Sequence, residues 1–143
     1  MRKLVAATAL TVVAMLAVAA LALAATRAAE VHATLTPKAD HAKGAPHAKG
    51  VFTGTLKGRT LTWKLTFSGL SGPATAAHIH KGKAGVSGPV VVPLCAPCKS
   101  GQHGTAKLSA SMAKALAGGG FYANVHTAKN ANGEIRGQIA PGM

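Results

Sequence analysis

Two short segments carry most of the side chains that could do chemistry. Thr75-Ala76-Ala77-His78-Ile79-His80 sets two imidazoles at i and i+2, and Phe121-Tyr122-Ala123-Asn124-Val125-His126 ends on a third. Residues two apart on a β-strand project to the same face. His78 and His80 therefore stand side by side while Ile79 turns to the core, and His126 shares a face with Tyr122 and Asn124. If the two strands are neighbours, the three imidazoles converge, and three neutral His nitrogens suit copper or zinc. A competing reading makes the same histidines scaffold, hydrogen-bonding loop carbonyls and neighbouring strands to hold the glycine-rich turns.

Cys95-Ala96-Pro97-Cys98 is the other constellation. In an exported chain, cysteines this close read first as a local Cys95–Cys98 disulfide. So small a ring removes little chain entropy and stiffens the loop after Leu94 more than it stabilises the fold. Half a zinc site ranks second, with His103 the one obvious further donor, and a redox pair third. Hydrolytic chemistry finds little support. The three acidic residues, Glu30, Asp40 and Glu134, are too few and too dispersed for a paired-carboxylate mechanism. There is no Gly-x-Ser-x-Gly elbow, no phosphate-binding Lys-Ser/Thr after the glycine-rich stretches, and no alternation of strands and helices for a dinucleotide. Nothing in these patterns requires an enzyme.

The elements that must position these groups begin after a leader. Arg2 and Lys3 precede an uncharged apolar run over residues 4–26, with small residues at Ala22, Ala24 and Ala25. This order describes a signal peptide over residues 1–25 cut after Ala24 or Ala25, with a later option at Arg27-Ala28-Ala29. The alternative is a retained anchor, since the run is long enough to span a bilayer. Cleavage predicts a secreted protein, extracellular or periplasmic, with no stable membrane insertion.

Loss of Arg2 and Lys3 leaves 14 basic residues against three acidic ones, a formal charge of +11 against +13 for the whole chain. That excess predicts attraction to anionic surfaces, so the expected partner is an anionic envelope polymer or a protein. The five aromatics (Phe52, Trp63, Phe67, Phe121, Tyr122) fall on strands, which leaves no stacking platform for specific nucleic-acid reading. Scattered lysines also serve simply to keep a small domain soluble.

The remainder reads as strands. Val31 to Thr36 forms the first, and Pro37 to Gly50 reads as a flexible basic loop containing His41-Ala42-Lys43-Gly44 and its echo His47-Ala48-Lys49-Gly50. His32, His41 and His47 could bind metal only weakly there. Val51 to Leu56 follows. Leu61, Trp63, Leu65 and Phe67 then alternate with Thr60, Thr62, Lys64 and Thr66, the period of a half-buried antiparallel strand. Further strands are expected over Ala74–His80, Pro89–Leu94, Gly104–Ser109, Phe121–Thr127 and Glu134–Ile139, with Glu134 and Arg136 on one face and placed to pair. Residues 109–117 read as a short helix capped by Ser109 or Ser111 and ended by Gly118-Gly119-Gly120. Seven or eight short strands with glycine- and proline-rich turns predict an all-β Greek-key sandwich or barrel with one short helix. The organisation is a leader (1–25), an N-terminal strand and basic loop (26–50), and the rest of one β domain (51–143).

Three segments together resemble the CHRD domain, named after chordin and found also in exported bacterial proteins. They are Thr75 to Gly82, Gly85-Val86-Ser87-Gly88-Pro89 to Leu94, and Gly120 to Thr127 leading to Gly133-Glu134-Ile135-Arg136-Gly137-Gln138-Ile139. The resemblance covers about residues 31–140 and implies an extracellular immunoglobulin-like β-barrel. It departs from the family near its start, where Lys38 to Lys49 replaces a Glu-Val-Pro-like segment. For bacterial members the family offers no established activity. The His-x-His pair with a later strand His is also similar to the copper ligands of copper–zinc superoxide dismutases, another Greek-key barrel. That likeness makes His103, in the Gly101-Gln102-His103-Gly104 loop, the candidate fourth ligand and gives Arg136 the part of attracting an anion. No Asp-rich zinc loop accompanies them. The sequence thus points first to an exported binding or structural module of the cell envelope or its surroundings. The competing reading is a copper- or zinc-binding protein built on His78, His80 and His126, distantly dismutase-like.

Overall fold

Alternation builds the first sheet. The computed structural model describes residues 28–40 and 45–142; the proposed leader, its cleavage point and His41 lie outside them. In β1 (Ala29–Leu35), β2 (Lys49–Lys57) and β3 (Thr60–Ser68) nearly every second residue is buried, and Val31, Leu35, Phe52, Leu61, Trp63 and Leu65 supply the bulk. The threonines and lysines between them face solvent, as the period-2 pattern requires. β6 (Gln102–Lys107) pairs with β3, and the two-residue β9 (Ala140–Pro141) with β1, giving the order β6-β3-β2-β1-β9.

The second sheet has the order β5-β4-β7-β8, from β4 (Ala74–Lys81), β5 (Val90–Cys95), β7 (Phe121–Thr127) and β8 (Ile135–Gln138). Its inner face presents Ala77, Ile79, Val92, Phe121, Ala123, Val125 and Ile135 to the first sheet, and the two apolar faces form one core. All pairs are antiparallel. The fold is an all-β sandwich. Its sheets are stitched together where Thr36 and Arg136 exchange backbone hydrogen bonds of 3.0 and 3.1 Å. Beside that stitch, a side chain on Gly137 would run into the Thr34 carbonyl.

The described residues hold nine strands rather than seven or eight, the extra one being β9, which follows Ile139 directly and pairs with Val31 and His32. The described parts of the stretch expected as a flexible loop, residues 37–40 and 45–50, are more ordered than their composition suggests. Pro37–Asp40 forms a helical turn, α1, beside the Thr36 hydroxyl, which accepts from the Ala39 N–H. Ala45 and Ala48 are buried, and β2 begins at Lys49. Small Ala side chains let this polar-looking segment pack against the core. Ser109 caps the second helix, α2 (Ala110–Ala115), by accepting from the Met112 N–H, and Leu116 continues into a 3₁₀ turn closed by Gly119.

Glu134 and Arg136 do not pair. Glu134 sits just before β8, is 0% exposed, and accepts from the Ser71 N–H and hydroxyl, the Thr127 hydroxyl and the Asn130 amide. Burial alone would raise its pKa. The donors outweigh it and hold the carboxyl below its ordinary value of 4.5. Folding therefore favours the carboxylate: the resulting stability is complete above pH 4.5 and is lost as the pH falls through the lower folded value. Replacing Glu134 by Gln sets an amide N–H₂ against groups that are themselves donors. Glu134→Gln is expected to cost roughly 1–3 kcal/mol at pH 7 and to flatten this acid-side decline, both readable from urea titrations at several pH values. Gly137→Ala is expected to cost about 1–3 kcal/mol by the same assay, because its neighbour is backbone and cannot step aside.

Candidate metal centre

Strand β7 is buried along its whole length, although only one of its faces is apolar. Its outward residues are Tyr122, Asn124 and His126. In the antiparallel register Ala76 faces His126, His78 faces Asn124 and His80 faces Tyr122, while on the other side Asn124 faces Arg136 and Tyr122 faces Gln138. His126 thus lies diagonally from His78, within reach of a side chain that size. β4 also slips against β5 between Ala77 and His78 and again between Ile79 and His80. Such irregularities re-aim side chains and occur often beside functional sites.

The three imidazoles meet. One ring nitrogen from each of His78, His80 and His126 lies within 4.8 Å of the other two. His78 Nδ1 is 3.0 Å from His126 Nε2, and the ring centroids of His78 stand 5.6 Å from His80 and 4.9 Å from His126. His80 and His126 are 8% and 9% exposed, and His78 is half-buried between them.

Two loops set the tautomers. His80 Nδ1 donates to the Gly88 carbonyl at 2.8 Å, and His126 Nδ1 donates to the Ala131 carbonyl at 2.9 Å. A carbonyl only accepts, so both protons sit on Nδ1 and both Nε2 atoms carry lone pairs. Metal-binding histidines are held in this way, by a second ring nitrogen bonded to a carbonyl or carboxylate. His80 Nε2 is buried and has no hydrogen-bond partner, and among the described residues the one other buried side-chain nitrogen or oxygen of this kind is Asn124 Oδ1, on the same face. Leaving such an atom unpaired costs roughly 1–3 kcal/mol. Burial, and then repulsion from His126 and His80, holds the His78 pKa below its ordinary 6.5, so its ring is neutral at pH 7.

The loop over residues 82–89 is tied down by polar contacts. The Tyr122 ring lies between β4 and β8, stacked on His80 with centroids 4.8 Å apart and with the Arg136 guanidinium carbon 3.3 Å from its centroid. The Tyr122 hydroxyl accepts from the Gly88 N–H, Arg136 donates to the Lys83 and Val86 carbonyls at 2.9 Å, and Gln138 donates to that of Gly82. Gly88 is the residue this path demands, because a side chain there would collide with the Lys81 carbonyl.

His78, His80 and His126 are brought together because β4 and β7 pair, the condition on which their same-face spacing depended. His103 is not with them: it is exposed on β6, in the other sheet and opposite Lys64, because the strand begins at Gln102 and takes it away from β4. Arg136 is 4% exposed and directed at Tyr122 and the loop carbonyls. Cys95 and Cys98 are joined in a disulfide at the end of β5, and the Cys98 N–H donates to the Ala74 carbonyl at the start of β4. Tyr122, Asn124 and Gln138 were not singled out by sequence. Tyr122 and Asn124 fall on the His126 face of one strand with no role attached, and Gln138 lies on the next strand; nothing in either pattern tells that loops bury them.

A family model described as the CHRD domain matches residues 25–139. The chain belongs to the CHRD domain family. The match takes in β1 to β8, both clamping loops and all three clustered histidines. No curated protein and no solved structure matches the chain.

In this CHRD domain, nitrogen–proton correlation spectra at neutral pH are expected to show His80 and His126 as Nδ1–H tautomers. Gly88→Ala is expected to push the loop off β4 and abolish the His80 Nδ1–H signal while leaving that of His126. An Nε2–H signal for His80 in the unaltered chain would contradict the lone-pair arrangement.

Proposed function

We propose that this CHRD domain is an exported metal-binding module that holds copper or zinc through His78, His80 and His126. The observation that carries the proposal is the convergence of three ring nitrogens within 4.8 Å, on a face where His80 Nε2 is buried without a partner. Three neutral imidazoles suit these two metals, and the cysteines, bonded to each other, offer no competing thiolate. In the metal-free chain the His78 Nδ1 proton lies on the line to His126 Nε2. His78, His80 and His126 would hold the ion through ring lone pairs, with the His78 proton moved to its Nε2, and binding would weaken as the pH falls and protons compete for those lone pairs. Export accords with the disulfide, which persists in oxidising compartments, and with the leader over residues 1–25. No helix among the described residues is long and apolar enough to cross a membrane.

A second reading, a surface that binds an anionic envelope polymer, draws on the outer face of the first sheet. There Lys49, Lys57, Lys64 and Lys107 are exposed, with the acidic Glu30 on the same face. The two readings concern opposite sides of the sandwich and are compatible. Retention on an anionic matrix that vanishes at moderate salt would reduce this second reading to diffuse charge.

The metal proposal is tested by the metal content of the untagged chain after exposure to sub-stoichiometric copper and zinc, measured by mass spectrometry. Near-equimolar retention of the offered metal is expected. In His78→Ala/His126→Ala the affinity is expected to fall by more than the roughly 10–100-fold that loss of an outer partner alone costs. Equal metal in the double variant would return the histidines to a scaffold role.

A further inference from the structure

We infer that the metal held by His78, His80 and His126 keeps one coordination position open towards Asn124, and that this position takes an exchangeable water which small anions displace. The inference rests on the proposed metal site and adds what that site does with its free valence.

Among the described residues the clustered donors stop at three. Among the described residues the cluster contains His78, His80 and His126, while His103 lies in the other sheet, the cysteines are bonded to each other, and the Glu134 carboxylate is engaged by Ser71, Thr127 and Asn130. Zinc held by three protein ligands fills its remaining place with water or substrate. The cluster is least covered at His78. Gly88 lies against His80 and Ala131 against His126, whereas His78, between them, is only half-buried.

Asn124 is the residue opposite His78. It faces His78 in register, lies two residues from His126 on the same strand, and is 2% exposed with Oδ1 unpartnered. A buried amide oxygen without a donor is costly. A water bound to a metal through its oxygen has both protons to give, so it is the complement of such an acceptor. Arg136 faces Asn124 from β8, and its contacts there are carbonyls, an amide oxygen and the Tyr122 ring rather than an acid. Its positive charge is thus not cancelled locally and favours an anion as the competing ligand.

The test uses the full chain loaded with one equivalent of Cu(II), with azide as the probe anion and pulsed EPR as the readout. The expected result is coupling to three imidazole nitrogens plus a proton coupling that vanishes in deuterated water and on saturation with azide. Asn124→Leu is expected to load copper with the same three nitrogens and to bind azide roughly 5–10-fold more tightly, since the competing water has lost its acceptor. Asn124→Asp, nearly the same shape, places a carboxylate in the open position. Its azide response is expected to disappear and its copper affinity to rise about 10-fold or more. If Asn124→Leu does not fold, Asn124→Asp decides alone. Copper bound through three nitrogens with no exchangeable proton and no azide response would overturn the open position. Unchanged azide binding in both variants would overturn the role of Asn124. Failure to bind copper at all would instead remove the metal site, and this inference with it.

Discussion

A strand buried on both faces but apolar on only one must find a partner for every polar group on the other, or lose roughly 1–3 kcal/mol for each that is left over. β7 is that strand. Its inner residues, Phe121, Ala123 and Val125, belong to the core and explain why it is central. Its outer residues, Tyr122, Asn124 and His126, explain the path of the loops. The 82–89 segment returns across the sheet because Tyr122, His80, Arg136 and Gln138 all offer it hydrogen bonds. The turn before β8 folds back because His126 donates to Ala131 and Glu134 gathers Ser71, Thr127 and Asn130. Remove the polar face, and neither loop has a reason to lie where it does.

Rigidity and chemistry are therefore linked in this domain. The apolar core fixes β4 and β7 side by side, and that register alone brings His78 and His126 together. The loops then fix which nitrogen of His80 and His126 carries the proton. Neither layer suffices by itself: the core cannot choose a tautomer, and the loops cannot set a strand register. The site also works against the stability of the fold, since three imidazoles this close repel one another once protonated, and an acceptor on Asn124 stays unsatisfied. Local conflict of this kind, in a sequence otherwise consistent with its fold, is where function is expected to reside.

Much of this was legible in the residues. The Leu61-Trp63-Leu65 alternation, the same-face pairing of His78 with His80 and of Tyr122 and Asn124 with His126, and the Ser109 cap all follow from period and side-chain chemistry. Adjacency of β4 and β7 was not legible, because 39 residues separate them between Lys81 and Phe121 and no local rule says which strands pair. Three placements escaped for related reasons. His103 read as part of a loop near the site, but the strand starts at Gln102, two residues before the expected Gly104, and carries it into the other sheet. Glu134 and Arg136 share a parity, yet Glu134 lies before the strand begins and turns to donors from Ser71, Thr127 and Asn130. Ala45 and Ala48 sit in a segment whose lysines and glycines suggest solvent, and their small size is what lets them into the core.

The scaffold and metal readings of the three histidines differ in what they explain. A scaffold role accounts for the two Nδ1–carbonyl bonds and for the contact between His78 and His126. It gives no reason for His80 to direct Nε2 into a buried space without a donor, beside an equally unpartnered Asn124 oxygen. An imidazole kept only for its Nδ1 bond would do better with its far edge in water, where Nε2 costs nothing. The lone pairs of His80 Nε2 and Asn124 Oδ1, buried on one face next to the His78 ring, form an arrangement whose cost would be recovered by a cation and its water. The physical case for a metal therefore rests less on the count of histidines than on His80 Nε2 and Asn124 Oδ1 being left without partners.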